Sequence, residues 1–226
     1  MKTSKRTKQI DQALQEQEIN GIEQAIDFFQ NNQFRVNFDE TVEIHLNLNI
    51  DVKKSQQHIK ASVDLPHGTG KTPKIGVFTQ PDKVQEAKSA GADTVFTEKD
   101  VSKIVDKKIK LEFDTILATP DMMPKIAKAA KILGPKGLMP SPKNETVTPD
   151  LKKTIQRLKK GLANIKNDNS GNIHQAIGKL SFKKQHLIEN YQKLIQAVEK
   201  QKPEKLKSKF IKTATITTSM GPGIKI

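Results

Sequence analysis

The chain has 226 residues and a formal net charge of +14, from 39 basic and 25 acidic side chains. The absence of cysteine excludes disulfides and thiolate metal sites, and the absence of a long apolar run excludes a membrane span. The sequence begins with a basic, polar stretch and shows no signal peptide, so a cytoplasmic location is expected, and the positive charge predicts a polyanionic partner.

The first predicted elements are a helix and two strands. Apolar residues recur at helical spacing from Ile22 to Phe29, which predicts a helix packed on one face. From Thr41 to Ile50 apolar and polar residues alternate, and a second alternation runs from Ile59 to Leu65. Strict alternation is typical of half-buried strands, so two strands are predicted here.

Lysine supplies nearly all of the positive charge. Arginine occurs at only three positions, so most cationic contacts are expected to be flexible point charges on phosphates rather than bidentate contacts to base edges. Three lysines, Lys53, Lys54 and Lys60, lie in or beside the loop that joins the first two strands. They are candidates for phosphate binding.

In the middle of the chain, strand-like and helix-like runs alternate. The predicted strands are Ile75–Phe78, Thr94–Phe96 and Phe113–Ala118, and the predicted helices are Asp82–Ser89, Val101–Lys107, Met122–Leu133 and Asp150–Lys160. Asp121 is expected to cap the third of these helices. An alternation of this kind predicts a parallel sheet with right-handed crossovers.

The last part of the chain returns to the first pattern. Leu162–Lys166 and Ile173–Ile177 flank a turn at Asp168–Gly171, which predicts a hairpin. Ser181 is expected to cap a long amphipathic helix, and Phe210–Thr217 reads as a closing strand. Each outer segment looks too small for an independent core, so we infer two α+β segments with a parallel α/β insert between them.

Residues 213–224 contain no charged side chain, although the chain as a whole is strongly basic. The stretch alternates like a strand up to Thr217 and then forms a hydroxyl-rich, glycine-containing turn that includes Ser219, Met220 and Gly221. Such a turn is suited to contacts with riboses and base faces, while lysines elsewhere hold phosphates. The two features together indicate RNA as the partner.

The segment from Gly68 to Thr72 resembles the end of a phosphate-binding P-loop. The full pattern requires glycine where Leu65 stands, and it requires a helix afterwards, whereas Pro73 and a strand follow here. We interpret these glycines as a hinge between domains. A nucleotide-binding enzyme that uses this loop is the alternative hypothesis, and generic polyanion binding is a third.

No catalytic or metal-binding pattern supports an enzyme. The five histidines show no pair at metal-ligand spacing, and no serine lies in a Gly-x-Ser-x-Gly motif. Ser181 and Lys184 match a Ser-x-x-Lys pattern, but in so lysine-rich a chain this match is expected by chance. We therefore expect no enzymatic activity, no cofactor and no bound metal.

The chain resembles the bacterial large-subunit ribosomal protein L1 family. The matching segments occur in the family's order and cover nearly the whole chain: Glu43–Asp51, Leu65–Lys71, Ala118–Met123, Leu133–Pro140 with Pro142 and Lys143, Ile177–Lys179 with Ser181 and Phe182, and Met220–Pro222. Together these segments are highly specific for the family.

The resemblance implies a fold and a function. The implied fold has a two-layer α+β domain formed by both chain ends, 1–67 and 159–226, and an inserted Rossmann-like three-layer α/β domain with a parallel sheet, 68–158. The family implies a structural component of the large ribosomal subunit that binds 23S rRNA at the mobile stalk. It also implies roles in release of tRNA from the E site and in repression of the protein's own operon mRNA, and we expect the free protein to be a monomer.

The RNA contacts of the family lie mainly on the first domain. Transferred position by position, they fall on Phe38, Thr41, Lys53, Lys54, Lys60, His174, Thr213, Ser219, Met220 and Gly221. The chain departs from the family at Ser219, where threonine is usual, and lysine replaces several family arginines near the first loop. The hydroxyl and the charges are retained, so binding is expected to survive with a different balance of contacts.

Overall fold

The computed structural model describes residues 4–17, 19–31, 36–52, 58–105, 112–203 and 208–226. The chain divides into two units. Unit 1 consists of Met1–Gly70 and Ala163–Ile226, and unit 2 consists of Lys71–Leu162.

The helices of the described residues are α1 (Lys5–Glu16), α2 (Ile22–Asn31), α3 (Val84–Ser89), α4 (Glu98–Val105), α5 (Met123–Ile126), α6 (Ala130–Leu133), α7 (Leu151–Lys160) and α8 (Lys184–Glu199). The strands are β1 (Thr41–Leu48), β2 (Lys60–Asp64), β3 (Ile75–Phe78), β4 (Thr94–Phe96), β5 (Thr115–Ala118), β6 (Leu162–Lys166), β7 (Asn172–Lys179), β8 (Ile211–Thr218) and β9 (Ile224–Lys225).

A four-stranded antiparallel sheet forms the centre of unit 1, in the order β7-β1-β8-β9. Its middle strand comes from the first part of the chain and pairs on both sides with strands from the last part; Ile44, for example, lies opposite Ile216. The apolar side chains of β1, from Val42 to Leu48, are at most 2% exposed. They pack with residues of α2 and α8 in one hydrophobic core.

The other face of this sheet is not part of that core. The residues of β1 that alternate with the buried ones are only half-buried. The result is a two-layer unit, with helices on one face of the sheet and accessible polar side chains on the other.

The predicted hairpin at Asp168–Gly171 is reduced to its turn and one antiparallel bridge, between Asn167 and Ile173. β6 pairs with β2 in a separate two-stranded sheet, whereas β7 pairs with β1. The side chain of Asn167 adds a contact on the β2 side, since its Oδ1 accepts a hydrogen bond from Ile59 N at 2.8 Å. This bond joins the end of β6 to the segment that leads into β2.

Unit 2 has a parallel sheet in the order β4-β3-β5. Ile75, Val77 and Leu117 pack on one side with α3 and α7. Phe78, Ile116 and Ala118 pack on the other side with α4, α5 and α6. The predicted three-layer α/β architecture is therefore confirmed, as is the mixed α/β and α+β fold class.

Two predicted helix caps are wrong. Asp121 lies inside a 3-10 turn, Pro120–Met122, which precedes α5, and it does not cap the helix. α8 begins at Lys184, and the Ser181 hydroxyl instead donates to Asp39 Oδ2 at 2.8 Å. In both cases a bend of the chain before the helix moves the expected cap out of position. Among the described residues, no helix is both long and apolar enough to cross a membrane.

Candidate RNA interface

The accessible face of the four-stranded sheet, called the open face below, carries polar side chains in register across three strands. Its residues are Thr41, Glu43, His45 and Asn47 of β1, Asn172 and His174 of β7, and Thr213, Thr215 and Thr217 of β8. Most of them are hydroxyl, amide and imidazole groups. Such a surface offers donors and acceptors to riboses and bases with little net charge.

Two lysines border this face. Lys179 lies opposite Thr41 and donates from Nζ to Thr41 Oγ1 at 2.9 Å. Lys225 lies opposite Thr215 on the short strand β9. The sequence analysis did not select either lysine, because nothing in a basic chain distinguishes the lysines that strand pairing brings to one face.

The turn after β8 is fastened to the start of β1. Thr41 N donates to Ser219 Oγ at 3.0 Å, and Ser219 N donates to Thr41 O at 3.1 Å. The Gly221 N–H donates to Thr218 O at 3.1 Å and closes the turn. Thr41, Ser219, Met220 and Gly221 therefore lie together.

A buried carboxylate holds the same turn from below. Glu40 is 5% exposed, and its Oε1 accepts hydrogen bonds from Met220 N at 2.9 Å and from Thr218 Oγ1 at 3.3 Å. The sequence analysis missed Glu40. No pattern marks it, because the alternation of β1 begins one residue later.

Phe38 and Met220 are each 54% exposed, while nearly all other large apolar side chains of the described residues are buried or half-buried. This exposure excludes the possibility that Phe38 packs in the core or that Met220 fills a gap in it. Phe38 also lines a cavity of about 190 Å³ together with Val36, Leu180 and Ser181. Exposed apolar side chains beside a polar face are suited to contact with base and sugar surfaces.

His174 forms a pair with His45 across the β1–β7 ladder. Their Nδ1 atoms are 2.8 Å apart, so one imidazole donates to the other. Burial and then the charge of His174 lower the pKa of His45, whereas the charge of Glu43 raises it. The two histidines are 129 residues apart in sequence, and no spacing rule predicts the pair.

Asp168 orders the chain just before His174. Its Oδ1 accepts from Ser170 N at 2.8 Å and from Asn172 N at 2.7 Å, and its Oδ2 lies 3.5 Å from His174 Nε2. The backbone N–H of Asn172, with smaller contributions from its side-chain amide, Ser170 N–H and His174, lowers the pKa of Asp168 to about 2. The turn therefore places a carboxylate, charged at neutral pH, beside the histidine pair.

The remaining predicted site residues are Thr213, Lys60, Lys53 and Lys54. Thr213 lies on the open face opposite Asn47. Lys60 is exposed and begins β2, so it belongs to the two-stranded sheet and not to the open face. Lys53 and Lys54 lie outside the described residues.

The glycine segment at Gly68 does not form a phosphate-binding loop. Lys71 Nζ lies 2.5 Å from Asp114 Oδ1, and this hydrogen bond is the main cause that lowers the pKa of Asp114. A strand, β3, follows the segment, where a phosphate-binding P-loop requires a helix. Among the described residues, no three His, Cys, Asp or Glu side chains come close enough to hold a metal ion.

Comparison with known proteins gives a consistent result. The model of the ribosomal protein L1p/L10e family matches residues 29–222. The chain belongs to this family. The large ribosomal subunit protein uL1 of Thermosipho melanesiensis is 48% identical over 189 residues, covering 84% of this chain and 81% of that protein.

Other relatives cover the full length. Proteins uL1 of the large ribosomal subunit from Mesoplasma florum and Fervidobacterium nodosum are 44% and 41% identical over 225 residues, and the matches cover 98% and 95% of those proteins. Membership of this family shows that the chain is a protein of the large ribosomal subunit and associates with the ribosome. It also confirms that the chain is not an enzyme.

Proposed function

We propose that unit 1 binds 23S rRNA directly at the mobile stalk, through the open face and the turn Ser219–Gly221. The main support is the combination of two features. Phe38 and Met220 are exposed apolar side chains, and Glu40 and Thr41 hold the turn by hydrogen bonds. A preorganised turn loses little conformational entropy on binding, so its contacts contribute fully to affinity.

The proposed contacts divide by chemistry. Lys179 and Lys225 lie at the edge of the open face. We assign these two lysines, together with Lys53, Lys54 and Lys60, to the neutralisation of phosphates. Thr213, Ser219 and His174 offer hydrogen-bonding groups to riboses and bases. Phosphate contacts set register and most of the salt dependence, while the uncharged groups recognise the shape of the folded RNA.

Competition binding tests the proposal. The full chain is titrated with a 23S stalk fragment at physiological salt, and an unrelated RNA duplex of equal length competes for it. We expect the stalk fragment to compete at least a hundredfold better than the duplex. Equal competition would replace the proposal with generic polyanion binding. Hydroxyl-radical footprinting of the chain on its own large-subunit RNA then locates the site.

Two further roles rest on the family resemblance. We propose that the protein takes part in release of tRNA from the E site, and that it represses translation by binding a stalk-like structure in its own operon mRNA. Ribosomes with and without the protein should differ in the rate of E-site tRNA dissociation. Repression requires the open face to bind the operon RNA, so substitution of Met220 should weaken binding of both RNAs together.

A further inference from the structure

α7 of unit 2 has an exposed face made almost entirely of lysine. Leu151, Thr154, Ile155 and Leu158 are buried against the sheet, and Lys152, Lys153, Gln156, Lys159 and Lys160 are exposed. The helix contains no acidic residue. Lys152 and Lys159, and likewise Lys153 and Lys160, are seven residues apart, which places two rows of charge about 10 Å long on one face.

Half of this charge lies where helix electrostatics disfavour it. Lys152 and Lys153 are in the first turn of α7, which has no acidic residue apart from its N-cap, Asp150. The N-terminal end of a helix carries a partial positive charge, so cations there are unfavourable. Lys159 and Lys160, in the last turn, are favourably placed. The helix dipole thus explains one pair of lysines and opposes the other.

These four ammonium groups have no carboxylate partner within the described ranges. Lysines on the opposite side of the same sheet do: Lys103 pairs with Asp100 at 3.0 Å, and Lys125 pairs with Glu98. On α7 itself the pairing is made by Arg157, whose Nη1 lies 2.6 Å from Glu145 Oε2. Arg157 is on the flank of the helix, so the lysine face keeps its full charge.

One of the lysines lies close to the turn after α3. Lys159 Nζ lies 3.0 Å from the position that a Cβ of Gly91 would occupy. Gly91, at φ +96°, ends the turn after α3, and its lack of a side chain lets the Lys159 stem lie across that turn.

We propose that the lysine face of α7 is a second RNA-binding surface, which takes the phosphate backbone of a segment other than the one bound by unit 1. The family places the chain in the large ribosomal subunit, where RNA is the abundant polyanion. Lysine without arginine suits phosphates as point charges, without reading of base edges. Phosphate binding by α7 goes beyond the proposed function; only the contrast with the segment bound by unit 1 rests on that function.

The test compares two full-length variants with equal loss of charge. In the first, Lys152, Lys153, Lys159 and Lys160 are replaced by Gln. In the matched control, the exposed Lys99, Lys128, Lys131 and Lys136, on the other side of the unit 2 sheet, are replaced by Gln. An RNA duplex of unrelated sequence is titrated over a range of salt concentrations, onto the free chain and onto the chain saturated with the stalk fragment.

We expect the α7 variant to reduce the slope of log K against log salt for the duplex by about three units, since each phosphate contact contributes roughly 0.7–0.9. The control should change it by less than one unit, and stalk affinity should be unchanged in both. Equal reductions in the two variants, or none in the α7 variant, would overturn the inference. Failure of the stalk fragment to bind would count against the proposed function alone, because the duplex titration on the free chain remains readable.

A second variant separates binding from structure. Lys152→Glu with Lys153→Glu places acids in the first turn of α7, where the helix dipole favours them. We expect a higher melting temperature of unit 2 together with weaker duplex binding. A helix whose lysines served only structure or solubility would show unchanged duplex binding, and that result would contradict the proposal.

Discussion

At the scale of single residues, the candidate interface depends on side chains that burial alone would not select. Phe38 and Met220 are exposed, and the backbone N–H of Met220 is held by Glu40, which lies in the protein interior. The residue that positions the candidate site and the residues proposed to touch the partner are therefore different. Substitutions separate the two roles.

Replacement of Met220 by Ala removes contact area and no charge. We expect affinity for the stalk fragment to fall about tenfold, which corresponds to about 1.4 kcal/mol, with an unchanged salt slope. Because Met220 is 54% exposed, unfolding should be little affected. Val105→Ala in unit 2, at a side chain 42% exposed, is the matched control and should leave affinity unchanged. A lower salt slope for Met220→Ala would contradict the assignment.

Glu40→Ala removes the acceptor of Met220 N and of Thr218 Oγ1. A buried N–H without a partner costs about 1–3 kcal/mol, so unfolding of unit 1 should occur at lower urea concentration. Tyr191 is the only tyrosine of the chain and lies in α8, so its fluorescence follows unit 1. The control is Glu43→Ala on the open face, which should change stability by less than 0.5 kcal/mol or so. A Glu40→Ala midpoint equal to wild type would refute the positioning role.

The pair of His45 and His174 predicts a pH effect. The folded state lowers the pKa of His45, mainly by burial, so folding disfavours its protonation. The unfolded chain binds this proton near pH 6.5. The contribution is thus fully present above pH 6.5 and is lost as pH falls toward the lower folded-state pKa.

Urea unfolding of wild type and His45→Gln, followed by Tyr191 fluorescence at pH 7.5 and pH 5.5, measures this effect. The wild type should lose more stability than the variant between the two pH values. His186→Gln serves as a control for removal of a histidine elsewhere in unit 1. A pH dependence identical in wild type and His45→Gln would show that His45 does not titrate differently on folding.

At the scale of elements, the turn after β8 has no room for a larger residue at Gly221. A Cβ there would overlap Thr218 Oγ1 and would lie 3.1 Å from Phe29 Cε1. Thr218 is buried and hydrogen-bonded to Glu40, so it cannot move freely. The packing of α2 against β8 therefore constrains the turn Ser219–Gly221 directly.

Gly221→Ala should destabilise unit 1 by about 1–3 kcal/mol, as expected for overpacking, and should weaken stalk binding. Gly223→Ala is the control, since a Cβ at that position meets only Thr215 Cγ2, at 3.3 Å. Chemical denaturation and RNA titration of both variants make the comparison. Equal effects at the two glycines would contradict the tight packing at Gly221.

The elements that sequence predicted well are those that a local pattern determines. The alternation from Thr41 to Ile50 gave β1 to within two residues, and Gly161 ends α7 at φ +126° as a C-cap. Predictions of helix caps and strand pairings failed where contacts between distant parts of the chain determine the structure. Ser181 bonds to Asp39, and β6 joins β2, through partners more than 100 residues away.

The same distinction holds for the candidate site. The polar residues of β1 could be assigned to one face from alternation, and the turn from its composition. Glu40, Lys179 and the partnership of His45 with His174 depend on register between strands from opposite ends of the chain. No local pattern contains that register.

At the scale of the whole molecule, the two units differ in continuity. Unit 2 is one uninterrupted segment, whereas unit 1 requires both chain ends. A chain that stops after Pro203 lacks β8 and β9 and leaves one edge of β1 without a partner. We expect such a truncated chain to retain the parallel sheet of unit 2 and to lose the native Tyr191 signal and stalk binding. Amide hydrogen exchange, read separately over β3 and β1, measures both; equal protection of β1 in full and truncated chains would contradict this expectation.

The position of β1 between β7 and β8 also sets the order of events during synthesis. The chain is synthesised from its N-terminus, so unit 2 can fold before β8 has been made. β8 is the strand that pairs with β1, completes the open face and leads into the turn Ser219–Gly221. An unfinished polypeptide therefore lacks the turn Ser219–Gly221, which follows β8. If that turn binds RNA as proposed, binding competence arises only when the last strands have been made.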